Sequence, residues 1–205
     1  VQTLTRLAEP PAVLVCASGI GYYGSRGDEV LSEESRSGTG FLAELAREWE
    51  AATAPAIARG VRVVNLRLGV VLSARGGALA KMLTPFRLGL GGVIGDGAQW
   101  MSWIALDDVI GAIRHVLATD SLRGPVNAVA PAPVTNAEFT RTLGRVVGRP
   151  TLVPLPAFAA RLAMGEMADE LLLTSQRVVP ARLQTSGYAF RHPTLEGAFR
   201  AALDR

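Results

Sequence analysis

Ala12-Val13-Leu14-Val15-Cys16-Ala17-Ser18-Gly19-Ile20-Gly21-Tyr22-Tyr23-Gly24 runs without a break from an apolar stretch into a turn of small residues. An unalternating run of Val and Leu that ends in Ser and Gly predicts a strand buried on both faces, as in a parallel sheet covered by helices. Downstream, Phe41, Leu45 and Trp49 recur every fourth residue with Leu42 and Ala46 beside them, and Gly60 closes the pattern. That spacing predicts an amphipathic helix over 40–59. Pro55 is expected to kink its last part, because proline removes a donor and crowds the preceding turn. Val61 to Leu68 is a second apolar strand. Strand, helix and strand in this order imply a right-handed parallel crossover, so the fold class is α/β.

Beyond Gly69 the elements shorten. Gly76-Gly77 opens a helix through Phe86, and five glycines between Leu88 and Gly97 predict an irregular loop. Asp107 is expected to cap a helix with Val109, Ile110, Ile113 and Leu117 on one face, followed by a strand over 125–129. Thr135 and Glu138 have the spacing of a capping box, ahead of a helix carrying Phe139, Leu143 and Val147 that stops at Gly148. The tail predicts a strand over 151–155, one or two helices over 156–175 and a closing helix over 194–203. Val1 to Leu7 reads as the end of a helix, so the chain is expected to begin in mid-fold.

Composition narrows the function classes. With 205 residues, 49% hydrophobic, the chain can bury a sizeable core. No apolar run reaches the roughly 20 residues a membrane helix needs, and no signal peptide is recognisable, so a cytoplasmic protein without a membrane partner is expected. One cysteine, Cys16, excludes an internal disulfide, and with only His115 and His192 beside it no metal site is expected. The basic balance, pI ≈ 9.6, comes from arginines spread along the chain, with Lys81 the single lysine. Without clustering or interleaved aromatics this predicts a solvated basic surface and no nucleic-acid partner.

In an open parallel sheet, ligands bind beyond the carboxyl ends of the strands. The first candidate is therefore 17–24, where small residues admit a ring and Ser18 can donate a hydrogen bond; a tight glycine turn with a satisfied serine is the competing reading. Arg67-Leu68-Gly69-Val70, after the second strand, is the other candidate, with backbone amides expected to face the same crevice. Ser18 lacks the flanking glycines of a nucleophile elbow. Cys16 reads as a core residue, and His115 and His192 as helix-face and turn residues. Arg177 and Arg182 are candidates for an anionic ligand or for salt bridges. Trp100, Met101 and Trp103 either line the crevice or cover the sheet.

Several of these stretches resemble the extended short-chain dehydrogenase/reductases, and within them an NAD(P)-dependent epimerase/dehydratase-like subfamily of unknown substrate. Ser18 to Gly24 is similar to that family's serine turn ending in Tyr-Gly, and Arg67-Leu68-Gly69-Val70 to its arginine-led strand end. Trp103-Ile104-Ala105-Leu106-Asp107-Asp108-Val109 resembles its His-x-Asp-Asp-Val signature, with Ala105 in place of histidine. The stretches 85–92, 175–183 and 187–190 carry the subfamily likeness.

The resemblance implies a partial Rossmann-like dinucleotide-binding domain over 1–130 and a small C-terminal α/β substrate lobe over 131–205. The family's Gly-x-x-Gly-x-x-Gly half is expected upstream of Val1, and the cofactor is NADP or NAD. It implies a catalytic serine at Ser18, with Gly19 the alternative alignment, while Tyr23 and Ser18 on the crevice edge are the catalytic candidates for a substitute acid. It further implies cofactor contacts at Ser18, Gly19, Leu68, Gly69 and Val70, and substrate contacts at Tyr22, Gly24, Trp103 and Arg177. Phe41 and Leu45 stand where the family has its Tyr-x-x-x-Lys pair, and neither can transfer a proton. The expected function is an NAD(P)-dependent epimerase or oxidoreductase acting on a small molecule; a catalytically silent nucleotide-binding sensor or partner-binding module is the alternative.

Overall fold

The structure, a computed structural model, describes residues 1–165 and 167–204. A helical turn, α1 (Gln2–Thr5), precedes β1 (Val13–Gly19) and a 3-10 turn at Ile20–Tyr23; β2 (Val30–Leu31), α2 (Phe41–Ala51) and α3 (Ala54–Ala58) follow. Next come β3 (Arg62–Leu68), β4 (Val70–Leu72), α4 (Gly77–Arg87), β5 (Trp100–Met101), β6 (Trp103–Ala105) and α5 (Leu106–Ala118). The rest comprises β7 (Gly124–Ala128), β8 (Val134–Thr135), α6 (Asn136–Val147), α7 (Ala157–Met164), α8 (Met167–Leu171), β9 (Arg177–Val178), α9 (Ala181–Thr185) and α10 (Leu195–Leu203).

β1, β3 and β7 form a parallel sheet in that order, so the α/β reading holds. Its register sets Ser18 beside Arg67 and Arg67 beside Asn127, one row across three strands near their carboxyl ends. Val64, Leu66, Val126 and Ala128 pack beneath Val109, Ala112 and Val116 of α5, with Leu183 of α9 completing this core. Arg62 fastens the far end of α5, its guanidinium donating to the carbonyls of Val116, Leu117, Thr119 and Leu122. A second core joins α4, α6 and α10 around Trp103, with Phe139 and Phe199 edge to face at 5.0 Å.

Several local expectations change. Pro55 does not kink a long helix: the helix ends at Ala51 and a new one starts at Ala54 with proline in its first turn, where no amide donor is missed. Asp107 is not a cap, since α5 begins at Leu106 with Ala105 as its N-cap. Its inner face is Asp108, Val109, Ala112 and Val116, while Ile110 and Leu117 are exposed. No strand forms over 151–155; only Leu155 bridges, to Ile94. The capping reading of Thr135 holds, its hydroxyl accepting from the Glu138 amide at 3.3 Å, and Gly148 ends α6 in the left-handed region. The apolar stripe of α2 faces outward: Phe41, Leu45 and Trp49 are 64%, 44% and 57% exposed.

Candidate functional site

Three strand ends converge where the crevice of an open parallel sheet is expected. The row Ser18, Arg67 and Asn127 presents one polar side chain per strand, and an arginine inside a buried strand demands a counter-charge. Glu50, in the last turn of α2, supplies it. Arg67 Nε donates to Glu50 Oε1 and Nη2 to Glu50 Oε2, both at 2.8 Å, with the two side chains only 3% and 12% exposed. Ser18 Oγ donates to the same Oε1 at 2.8 Å. Arg67 Nη1 donates to the Tyr23 hydroxyl at 2.9 Å, and that hydroxyl donates to Asn127 Oδ1 at 2.7 Å. The guanidinium carbon also lies 3.4 Å from the centre of the Tyr22 ring.

This network fixes charge states. Burial opposes the Arg67 charge, but the Glu50 carboxylate and the Tyr23 hydroxyl outweigh it and hold the guanidinium pKa above its usual value. Burial raises the Tyr23 pKa, and the neighbouring Arg67 charge only partly offsets this.

A mostly apolar hollow of about 310 Å³ opens beside the network. Ala17, Ser18, Gly19 and Gly21 form one wall, and Leu42, Leu45 and Trp49 of α2 line the other. The sequence candidates distribute unevenly around it. Ser18 and Gly19 line it, and Tyr22 lies half-buried under Arg67. Tyr23 is fully buried behind the turn, and Gly24 turns there with φ 61°. Leu68 ends β3, Gly69 links it to β4 and Val70 begins β4, but the expected free amides are engaged: Gly69 N–H donates to the Ala128 carbonyl and Val70 N–H to that of Ser102. Only glycine fits at 69, since a Cβ there would lie 2.6 Å from the Ser102 carbonyl oxygen.

Trp103 is fully buried in the second core and donates Nε1–H to the Ala132 carbonyl. Arg177 lies on the Trp100 ring at 4.2 Å, on β9 beside Gln176, whose amide donates to the Ile20 and Gly24 carbonyls of the turn. Arg182 is salt-bridged to Glu34. His115 contacts Ser186 at 2.9 Å, and His192 lies 3.4 Å from Asp107. Among the described residues no cluster of His, Cys, Asp or Glu is arranged to hold a metal ion, and no helix is long and apolar enough to cross a membrane.

Sequence reasoning missed Glu50, Asn127 and Asp108. Arg67 within an apolar strand was the signal for Glu50; nothing in spacing points to Asn127. Asp108, fully buried in the first turn of α5, accepts from the Arg191 and His192 amides at 2.7 and 2.9 Å and from the Tyr188 hydroxyl at 3.0 Å.

Comparison with known proteins adds to this geometry. A family model described as a domain of unknown function, DUF1731, matches residues 155–202. An epimerase family protein of Mycobacterium bovis is 50% identical over 194 residues, which cover 95% of this chain and 64% of that protein. The chain thus spans a little under two thirds of that relative's length. Human epimerase family protein SDR39U1 is 38% identical over 200 residues, 97% of this chain and 68% of the human one. A crystal structure of human SDR39U1 (isoform 2) with NADPH superposes with a TM-score of 0.92 at 36% identity, covering 100% of this chain and 69% of that one.

Proposed function

As a member of the SDR39U1-like epimerase family, within the short-chain dehydrogenase/reductase superfamily, this chain is, we propose, part of a nicotinamide-dinucleotide site that takes NADP(H) in preference to NAD. The observation that carries the reading is the close superposition on the NADPH-containing human structure, over the whole of this chain. The local chemistry fits such a group. Ala17 and Gly19 leave the ledge at the end of β1 nearly bare, and a Cβ at Gly19 would meet no atom closer than 3.8 Å. A flat ring needs that clearance. When bound, the dinucleotide supplies hydride transfer.

Ser18, Gly19, Leu68, Gly69 and Val70 are the proposed cofactor contacts, with Gly69 and Val70 contributing surface and carbonyls rather than amides. Tyr22, Gly24 and Arg177 are proposed to face a small-molecule substrate, Arg177 offering its guanidinium to an anionic group from its place on Trp100. Trp103, fully buried in the core of α4, α6 and α10, is not among these contacts. We place the protein in the cytoplasm, with neither a nucleic acid nor a membrane as partner.

Proton transfer is where this site departs from its superfamily. On the resemblance, Phe41 and Leu45 stand at the superfamily's Tyr and Lys positions, and Leu45 lines the hollow. Tyr23 is held between Arg67 and Asn127 and acts as a positioning residue. These features favour a second reading, a nucleotide-binding protein without tyrosine-driven epimerisation. The test is to titrate the gene-encoded protein with NADPH and NADH by fluorescence, then assay a panel of sugar nucleotides and small carbonyls. We expect saturable NADPH binding and little turnover; absence of binding overturns the cofactor reading, and robust wild-type turnover overturns the silent-site reading, whether or not it survives Tyr23→Phe.

A further inference from the structure

Ser18 has one hydroxyl proton, and the structure shows where it goes. Its Oγ lies 2.8 Å from Glu50 Oε1, the oxygen that also accepts from Arg67 Nε. A carboxylate in a fork-to-fork pair with a guanidinium is an acceptor only. The proton in the Ser18–Glu50 bond therefore belongs to serine and is directed at Glu50, which is not among the residues lining the hollow that Ser18 helps to line. What remains for a ligand is the lone-pair side of the oxygen.

We propose that Glu50 is a positioning residue that turns Ser18 into an obligate hydrogen-bond acceptor, so that the ligand group meeting Ser18 is a donor, the carboxamide N–H of the nicotinamide ring, and not a carbonyl oxygen. This deepens the cofactor reading and rests on it. It also inverts the donor role that a serine at a strand end suggests from sequence. The apolar walls around Ser18 strengthen the selection, because a carbonyl brought against an oxygen with no proton to offer loses its hydration without compensation. Arg67 serves the arrangement from behind: held by Glu50, Tyr23 and the Tyr22 ring, it keeps the carboxylate in place.

The gene-encoded protein is titrated with NADP+ and with its 3-acetylpyridine analogue, which keeps the carbonyl but replaces the amide nitrogen by a methyl group. Wild type is expected to favour NADP+ by about tenfold, the usual effect of one hydrogen bond to a confined acceptor. Ser18→Ala should bring the ratio to near unity. Glu50→Ala should lower it several-fold, because the freed hydroxyl can then donate to the acetyl oxygen. The double variant should match Ser18→Ala alone within about twofold, the non-additivity expected of residues acting through one contact.

A merely structural Glu50 would weaken both ligands equally and leave the ratio untouched, which would overturn the proposal. Should Glu50→Ala fail to fold, Ser18→Ala leaves the ion pair intact and carries the test: an unchanged ratio there also overturns it. Retained binding with unchanged discrimination refutes the donor assignment alone, whereas binding of neither NADP+ nor NADPH refutes the cofactor reading and the assignment together. Urea unfolding of the ligand-free single and double variants reads the Ser18–Glu50 bond independently of cofactor, and strictly additive effects would show that Glu50 does not hold Ser18.

Discussion

At the scale of the residue, the site is organised around the buried Arg67–Glu50 ion pair. Removing one member of such a pair strands the other charge away from water, which typically costs 3–5 kcal/mol. Glu50→Ala is therefore expected to lower unfolding stability by about that amount, read as a fall in the urea midpoint. Arg67→Lys should recover only part of a comparable loss, since an ammonium cannot bridge both Glu50 oxygens and still reach Tyr23. Tyr23→Phe leaves Asn127 Oδ1 and Arg67 Nη1 without their partner and should cost about 1–3 kcal/mol. The sequence made the turn at 17–24 legible because its small residues are contiguous. It hid Glu50, which lies on the far side of a crossover from the arginine it serves, 17 positions away.

At the scale of the element, what could be read locally was the run, the cap and the stop. β1, β3 and α6 follow from an unalternating apolar run or a Thr-to-Glu spacing, and each appears within a residue or two of its expected place. β5, β8 and β9 are two residues long and exist only because distant segments meet, as in the pairing of Val30 with Arg177, so no window of sequence contains their cause. Asp108 shows the same limit: its carboxylate anchors the segment after α9 through two backbone amides and the Tyr188 hydroxyl. Burial, then the adjacent Asp108 charge, raises the Tyr188 pKa above the ordinary value of 10.0. The folded state thus holds the neutral phenol, whose contribution is complete below about pH 10 and is lost as pH rises through the folded value. Unfolding midpoints measured between about pH 9 and 11 should fall less steeply for Tyr188→Phe than for wild type, with a residual slope from Tyr23, whose pKa is also raised. Equal slopes would show that Tyr188 does not set the alkaline limit.

At the scale of the whole molecule, the outward stripe of α2 and the strand order decide how much of a dinucleotide site these residues can form. β1 is one of the two outer strands of the β1-β3-β7 sheet, and Phe41, Leu45 and Trp49 stand exposed on the helix α2 that packs against it. The helix period was legible in the sequence, but the side it faces was not, because periodicity places a stripe without saying what covers it. The contacts proposed here, at Ser18, Gly19 and the end of β3, address the ring of the cofactor. Pyrophosphate is held differently, by backbone amides at a helix N-terminus entered through a glycine-rich turn, and the two stretches with Gly-x-x-Gly-x-x-Gly spacing, 21–27 and 89–95, lead into β2 and β5 rather than into a helix. The 205-residue chain by itself is therefore expected to bind NADPH with a dissociation constant weaker than micromolar, and nicotinamide mononucleotide with an affinity within about tenfold of that for NADPH, since one lost decade corresponds to only about 1.4 kcal/mol of phosphate and adenosine contacts. Calorimetry distinguishes the cases. Micromolar or tighter NADPH binding, with no measurable affinity for the mononucleotide, would mean that these residues hold the pyrophosphate after all and that the ring-end assignment of Ser18 and Gly19 is misplaced.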